Sequence, residues 1–223
     1  MNKVQLYRHD PLPDNALCYV MDPMCSWCWA FQPVVQQLAD EASPDTPVVY
    51  VLGGLAPDSE QPMPAAMRSQ LEAVWHHIEQ RTGVRFNYDF WRNNTPRRST
   101  YPACRAVLAA EALQPGVFPA LIEAIQRSYY RQARNPSDLD TLTDLARQIG
   151  IDTAAFRAQM GAEPLTEQLY RHLRLRDRLQ VQGYPSLVWW RGKAAIPITY
   201  GYCDLATTRE KLRRAGYPGR GTA

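Results

Sequence analysis

Ala16-Leu17-Cys18-Tyr19-Val20-Met21-Asp22-Pro23-Met24-Cys25-Ser26-Trp27-Cys28 is the stretch on which the fold turns. Its first six residues are a short apolar run of strand length. Asp22-Pro23 interrupts the run, and from Trp29 to Ala42 the pattern reads as a helix. A cysteine at such a junction meets unpaired backbone N–H groups and the positive end of a helix dipole, and both favour a thiolate. Cys28 follows Cys25 by one helical turn, so the two sulfurs can meet across almost no intervening loop.

Working outward, Pro47-Val48-Val49-Tyr50-Val51-Leu52 is a β-branched run closed by Gly53-Gly54, a second strand. Strand, helix and strand in this order make a βαβ unit, which requires parallel pairing. From about Glu60 to Gln180 the pattern is almost wholly helical. Met67, Leu71, Val74, Trp75 and Ile78 share one helix face that Gly83 can close. Ser99 or Thr100 is placed to cap a helix from Tyr101-Pro102, Ser137 or Asp138 one from Leu139, and Asp152 the next. Strand character returns at Ser186 to Trp190, and the turn Arg191-Gly192-Lys193 leads into Ala194 to Thr199. Pro197 assigns that last strand to a sheet edge. Asp204 can cap a final helix that Gly216 ends. The order β-α-β, many helices, β-β-α predicts an α/β domain (residues 1–57 and 181–223) split by a helical insertion (residues 58–180).

The bulk properties exclude several classes. A net charge of +3 over 223 residues is too small to argue for nucleic acid. The basic cluster Arg171 to Arg178 alternates with Leu169, Leu173, Leu175 and Leu179 and reads as a solvated helix face rather than a phosphate-binding patch. No stretch approaches a membrane span, and the first residues lack the apolar core of a signal peptide, so a cytoplasmic location is expected. Five cysteines are an odd set, which rules out a complete disulfide framework. In a reducing compartment, a CxxC pair is then catalytic or metal-binding. A closed zinc site needs a second close ligand pair. His76 and His77 are adjacent and point about 100° apart on a helix, while Cys104 and Cys203 stand alone. A dithiol is therefore the expected reading, with no metal and no cofactor beyond a Cys25–Cys28 disulfide. Cys18 and Cys104 read as core residues, and Cys203 as a partly exposed residue opening the last helix.

This element order, with CxxC at the first strand–helix junction, resembles the thioredoxin superfamily. Gly183-Tyr184-Pro185-Ser186, just before the third strand, narrows the resemblance, since that superfamily places a cis-proline there, opposite the CxxC. The helical insertion is similar to that of its DsbA-like branch, and Asp22-Pro23-Met24-Cys25-Ser26-Trp27-Cys28-Trp29-Ala30-Phe31 looks like the FrnE-like cytoplasmic members. The resemblance implies a thioredoxin-like fold with a large inserted α-helical domain. It also implies an exposed nucleophile at Cys25, a resolving thiol at Cys28, and a substrate groove shaped by Pro185 and flanked by Tyr184. Trp27 is expected to be exposed as an apolar substrate contact and Trp29 to be buried. Ser99-Thr100-Tyr101-Pro102-Ala103-Cys104-Arg105 resembles an Asn-Ser/Thr-x-x-Ala-x-Arg stretch of the DsbA-like and kappa-class glutathione transferase group, without its leading Asn.

The expected activity is thiol–disulfide exchange with protein or peptide clients, with isomerase activity by reshuffling and glutathione as a candidate thiol substrate. Ser26-Trp27 brings no cation to the thiols, and Asp22 would oppose a thiolate if close in space. A couple less oxidising than about −120 mV is therefore expected. Two alternatives stay open: a glutathione-dependent isomerase or transferase resembling 2-hydroxychromene-2-carboxylate isomerase, and a non-catalytic redox-sensing chaperone.

Overall fold

The computed structural model describes residues 3–218. The chain forms two compact units, Met1–Gly53 with Tyr170–Ala223, and Gly54–Leu169. In the first unit β1 (Val4–Leu6), β2 (Ala16–Met21), β3 (Val48–Leu52), β4 (Ser186–Arg191) and β5 (Ala194–Tyr200) make one sheet in the order β1-β3-β2-β4-β5. β2 and β3 are joined through helix α1 (Ser26–Glu41) and run parallel, with Tyr19 opposite Tyr50. β1 adds in parallel to β3, while β4 and β5 are antiparallel to their neighbours. β5 forms an edge, where the missing N–H of Pro197 is tolerated. β1 has no counterpart in the sequence reading, because three residues are too short to display an alternation.

β2 and β3 are buried along their whole length, which explains their continuous apolar runs. Alternate residues still turn to opposite faces. Cys18, Val20, Val49 and Val51 pack against Leu175 and Leu179 near the end of helix α8 (Glu163–Arg178). Tyr19 turns the other way, its ring 5.8 Å from Phe31 of α1 and 5.1 Å, edge-on, from Tyr50. Leu175 and Leu179 explain why the first unit takes in residues from Tyr170, where the sequence placed the boundary after Gln180. Truncating Leu175 to Ala would cost about 2–5 kcal/mol, from lost transfer energy plus the cavity left behind. Trp189 is buried with its ring 5.7 Å from Tyr217, and Trp190 is half-buried beside Arg178, as opposite sheet faces demand. Helix α9 (Leu205–Ala215) follows Asp204, whose carboxylate accepts from Thr207 N at 2.7 Å, and ends at Gly216 with φ +74°. Cys203 lies just before this cap rather than within the helix.

The second unit contains α2 (Ala65–Thr82), α3 (Asp89–Asn93), α4 (Tyr101–Leu113), α5 (Phe118–Gln132), α6 (Leu139–Gln148), α7 (Thr153–Met160) and the start of α8. Gly83 closes α2 in the left-handed region. On the expected α2 face, Trp75 and Ile78 are buried and the other three are half-buried. Trp75 has Phe86, Phe90, Trp91, Tyr129 and Tyr130 within ring-contact distance, an aromatic core that no local period announces. Asp152 caps α7 by accepting from Ala155 N at 2.7 Å. The expected caps of α4 and α6 differ from this. Thr100 occupies the N-cap position of α4, but its hydroxyl accepts from Ala56 N at 3.0 Å and donates to Ala56 O. Ser99 Oγ accepts from Ser59 N, and the Asp138 carboxylate receives Arg97 instead of a helix N–H. Long-range partners outcompeted the local ones at these three side chains. Among the described residues, no helix is long and apolar enough to cross a membrane.

Candidate active site

The turn between β2 and α1 is built by Asp22. Its Oδ1 accepts from Met24 N at 2.8 Å and its carbonyl accepts from Cys25 N at 3.0 Å, which closes the chain tightly after the strand. Cys25 is thereby the N-cap residue of α1, with φ −85° and ψ 118°, and its carbonyl accepts the first helical bond from Trp29 N. The helix begins three residues before the sequence pattern suggested, at Ser26, so Cys28 lies in its first turn. Both thiols are free.

Cys28 is fully buried, and the thiol hydrogen-bonds Cys25. Burial pushes the Cys28 thiol well above its ordinary pKa, and the hydrogen bond and charge of Cys25 add to the shift. The Asp22 charge raises it further, while a backbone hydrogen bond at Asp22 works the other way. Tyr19, buried on β2, carries a hydroxyl that hydrogen-bonds the Cys28 side chain. Burial is also the main reason its phenol is held well above the usual range.

The Cys25 thiol lies 3.7 Å from the carbonyl oxygen of Tyr184 and donates to it. The Tyr184–Pro185 peptide is cis, as is Asp10–Pro11. Gly201 N donates to Pro185 O at 2.8 Å, which ties the end of β5 to this loop. The structure thus brings Cys25, Cys28, Tyr184 and Pro185 together within one unit. Cys25 is 7% exposed, so the exposed nucleophile implied by the resemblance is instead largely covered. Trp27 is half-buried rather than exposed, because its ring meets Tyr202 at 5.7 Å, and Trp29 is also half-buried rather than buried. Tyr184 is committed as well: its hydroxyl donates to Gly53 O at 2.7 Å, and Arg176 donates to the same oxygen at 2.9 Å. Cys18 and Cys104 are buried and Cys203 is intermediate, with Lys211 Nζ 3.6 Å from its sulfur. Burial pushes the Cys18 thiol up to about 12.

Several residues around this centre went unnoticed in the sequence. Tyr19, Gly53, Arg176 and Tyr202 belong to different elements, and only tertiary folding places them near the pair. His172 is another. It is buried on α8, accepts from Leu52 N through Nδ1 at 3.0 Å, and meets the Tyr7 ring edge-on at 5.2 Å. Because Nδ1 accepts, the neutral ring carries its proton on Nε2. Burial lowers its pKa to about 3. Its place three residues after Leu169, on the apolar side of α8, was the one available signal.

Similarities to known proteins follow the same lines. A crystal structure from Nitrosomonas europaea, described as a candidate protein disulfide isomerase, is similar with a TM-score of 0.80 and 28% identity, covering 90% of this chain and 97% of that one. The cytosolic disulfide reductase DsbM from Pseudomonas aeruginosa is similar with a TM-score of 0.71 and 26% identity, over 90% and 98% of the two chains, and it has also been solved with GSH. The ClpXP adapter protein SpxH from Halalkalibacterium halodurans is 22% identical over 174 residues, which span 76% of this chain and 56% of that protein. SpxH from Bacillus subtilis is also 22% identical, over 62% of its length, so the chain spans less than two thirds of these curated relatives. The DSBA-like thioredoxin domain matches residues 17–213, from β2 through most of α9. With a βαβ unit carrying CxxC at its helix start, a cis-proline beside the first thiol and a helical unit inserted before the β4–β5 hairpin, the chain belongs to the DSBA-like thioredoxin domain family.

Proposed function

We propose that the protein is a thiol–disulfide oxidoreductase working through Cys25 and Cys28, with protein or peptide disulfides as clients. The observation that carries this reading is the Cys25 thiol held between the carbonyl of Tyr184 and the buried thiol of Cys28. In the reducing direction the Cys25 thiolate attacks a client disulfide, forms a mixed disulfide and releases one client thiolate. Cys28 then attacks the Cys25 sulfur, the second client sulfur leaves, and the proton lost by Cys28 ends on that leaving group. Two electrons have passed to the client, and the Cys25–Cys28 disulfide remains. Two equivalents of a small thiol such as glutathione return it to the dithiol. Pro185 and Tyr184 line the client backbone in this proposal, and Trp27 with Tyr202 offers an aromatic flank. A reducing compartment suits this cycle. The DsbM likeness, including its complex with GSH, supports a reductase that meets glutathione.

A second reading comes from the SpxH relatives, which are adapters. In it the same groove holds a partner protein, and the thiols serve as a sensor. Insulin reduction by the native chain, with Cys25→Ser and Cys28→Ser alongside, separates the two. Turnover lost in both variants supports exchange chemistry, and mass spectrometry of the Cys28→Ser protein should then find clients linked through Cys25. Negligible turnover by the native chain, with unaltered partner binding by the doubly substituted protein, favours the adapter reading.

A further inference from the structure

Arg176 stands among the basic residues of α8 that the sequence pattern reads as a solvated face, yet its side chain is only 23% exposed. Its guanidinium is held on two sides. Nε and Nη2 lie 2.8 and 2.7 Å from Asp177 Oδ1, and Nη1 donates to Gly53 O at 2.9 Å. A planar fork with donors in fixed directions can hold both partners at once, whereas an ammonium is a single point. Asp177 is well exposed, so it orients the guanidinium and adds little energy of its own.

The Gly53 carbonyl is where this anchor meets the site. A carbonyl oxygen has two lone pairs. Here it accepts twice, from Arg176 and from the Tyr184 hydroxyl at 2.7 Å. The Arg176 side chain also hydrogen-bonds the Tyr184 side chain directly. Gly53 is itself fixed, because its N–H donates to Met21 O at 2.6 Å and ties the end of β3 to the end of β2. Arg176, Gly53 and Tyr184 all belong to the unit that carries the sheet and both active thiols. The tyrosine fastened through its hydroxyl also supplies, through its carbonyl, the oxygen 3.7 Å from the Cys25 sulfur. Cys25 is buried beneath it.

We propose that Arg176 is a positioning residue of the exchange site: acting through Gly53 O and the Tyr184 hydroxyl, it holds the Tyr184–Pro185 backbone over Cys25 and in place for a peptide client. It touches neither the client nor the sulfur. This role rests on Cys25 as the exchanging thiol, but the covering of Cys25 can be read without any turnover. Loosening Arg176 uncovers Cys25 and weakens capture of a peptide at the same time. A general loss of stability would give that pair of effects only by exposing Cys18 as well.

Arg176→Gln and Arg176→Lys in the full chain test this. Iodoacetamide labelling of the reduced protein, at one pH and without denaturant, is followed thiol by thiol by mass spectrometry. Arg176→Gln should label Cys25 about tenfold faster than the native chain, the factor expected when a hydrogen bond to a charged group no longer holds the covered arrangement. Cys18, fully buried in the same sheet, should stay protected and reports on unfolding. With a disulfide-bridged peptide as client, KM should rise about fivefold. The kcat/KM for bis(2-hydroxyethyl) disulfide, which has no backbone to align, should fall by less than about twofold. Arg176→Lys keeps a charged donor and should recover part of both effects. Cys25 labelling at the native rate overturns the proposal, as does labelling of Cys25 and Cys18 together, or an equal fall with both disulfides. Faster Cys25 labelling in Arg176→Gln, with no turnover of either disulfide by the native chain, would refute the exchange reading and leave the hold of Arg176 on Tyr184 standing.

Discussion

The ring of Tyr184 covers Gly53 so closely that a Cβ built on Gly53 would fall 2.2 Å from Tyr184 Cε1, while the Tyr184 hydroxyl donates to the Gly53 carbonyl at 2.7 Å. The two residues are 131 positions apart, and one of them supplies the carbonyl that faces the Cys25 thiol. Any side chain at 53 must therefore displace the Tyr184 ring and disturb its hydrogen bond to Gly53 O.

Gly53→Ala is expected to destabilise the chain by about 1–3 kcal/mol, the usual result of overpacking a close contact. Urea unfolding measures it. Tyr184→Ala in the same chain should recover part of the loss, because the clash is with that ring. Additive losses in the double variant would show that the contact is not the cause.

Tyr19→Phe removes only the hydroxyl beside Cys28. A hydrogen bond to a forming thiolate contributes about 1.5–3 kcal/mol, so the step in which Cys28 attacks the mixed disulfide should slow about ten- to a hundredfold. Stopped-flow release of the second client thiol measures that step. In the Cys28→Ser background, where only the first attack occurs, the substitution should leave the rate nearly unchanged. Equal slowing of both steps would mark Tyr19 as purely structural.

His172 gives a pH dependence of defined sign. Its pKa is about 3 in the folded chain against an ordinary value near 6.5, so between these limits the unfolded chain binds more protons. Stability is fully present above pH 6.5 and falls as the pH drops toward 3. From pH 7 to pH 5 the loss should be about 2 kcal/mol. His172→Gln should start less stable, because a buried packing and hydrogen-bonding group is altered, but it should lack that slope. A variant with the same slope as the native chain would locate the titration elsewhere.

The potential of the Cys25–Cys28 couple should lie below about −120 mV, the value of the strongly oxidising extreme. Ser26-Trp27 supplies no cation to the pair, and burial keeps Cys28 protonated when reduced. Equilibration in glutathione buffers followed by alkylation and mass measurement reads the potential. A value at or above that mark refutes the argument.

Much of the frame was readable one segment at a time. The CxxC at a strand end, the βαβ order, the β4–β5 hairpin, the edge position of Pro197 and the stops at Gly83 and Gly216 all follow from periodicity and backbone preferences within a few residues. Asp152 and Asp204 cap as expected because their N–H partners are three residues away. Ser99, Thr100 and Asp138 carry the same local signal, but partners about 40 positions distant took their side chains. A capping propensity is worth about 1 kcal/mol, which one buried or charged long-range bond can outweigh.

By itself, then, the sequence determined the spacing of the two thiols, the junction that presents them and the order of elements around them, since these depend on neighbours along the chain. Tertiary structure decided the rest. It covered Cys25 under the Tyr184 carbonyl, buried Cys28 beside Tyr19, half-buried Trp27 against Tyr202, and drew Arg176 of α8 onto the Gly53 carbonyl. Each of those contacts joins residues from separate elements, and no local pattern encodes a distance between segments that only the closing of the sheet brings together.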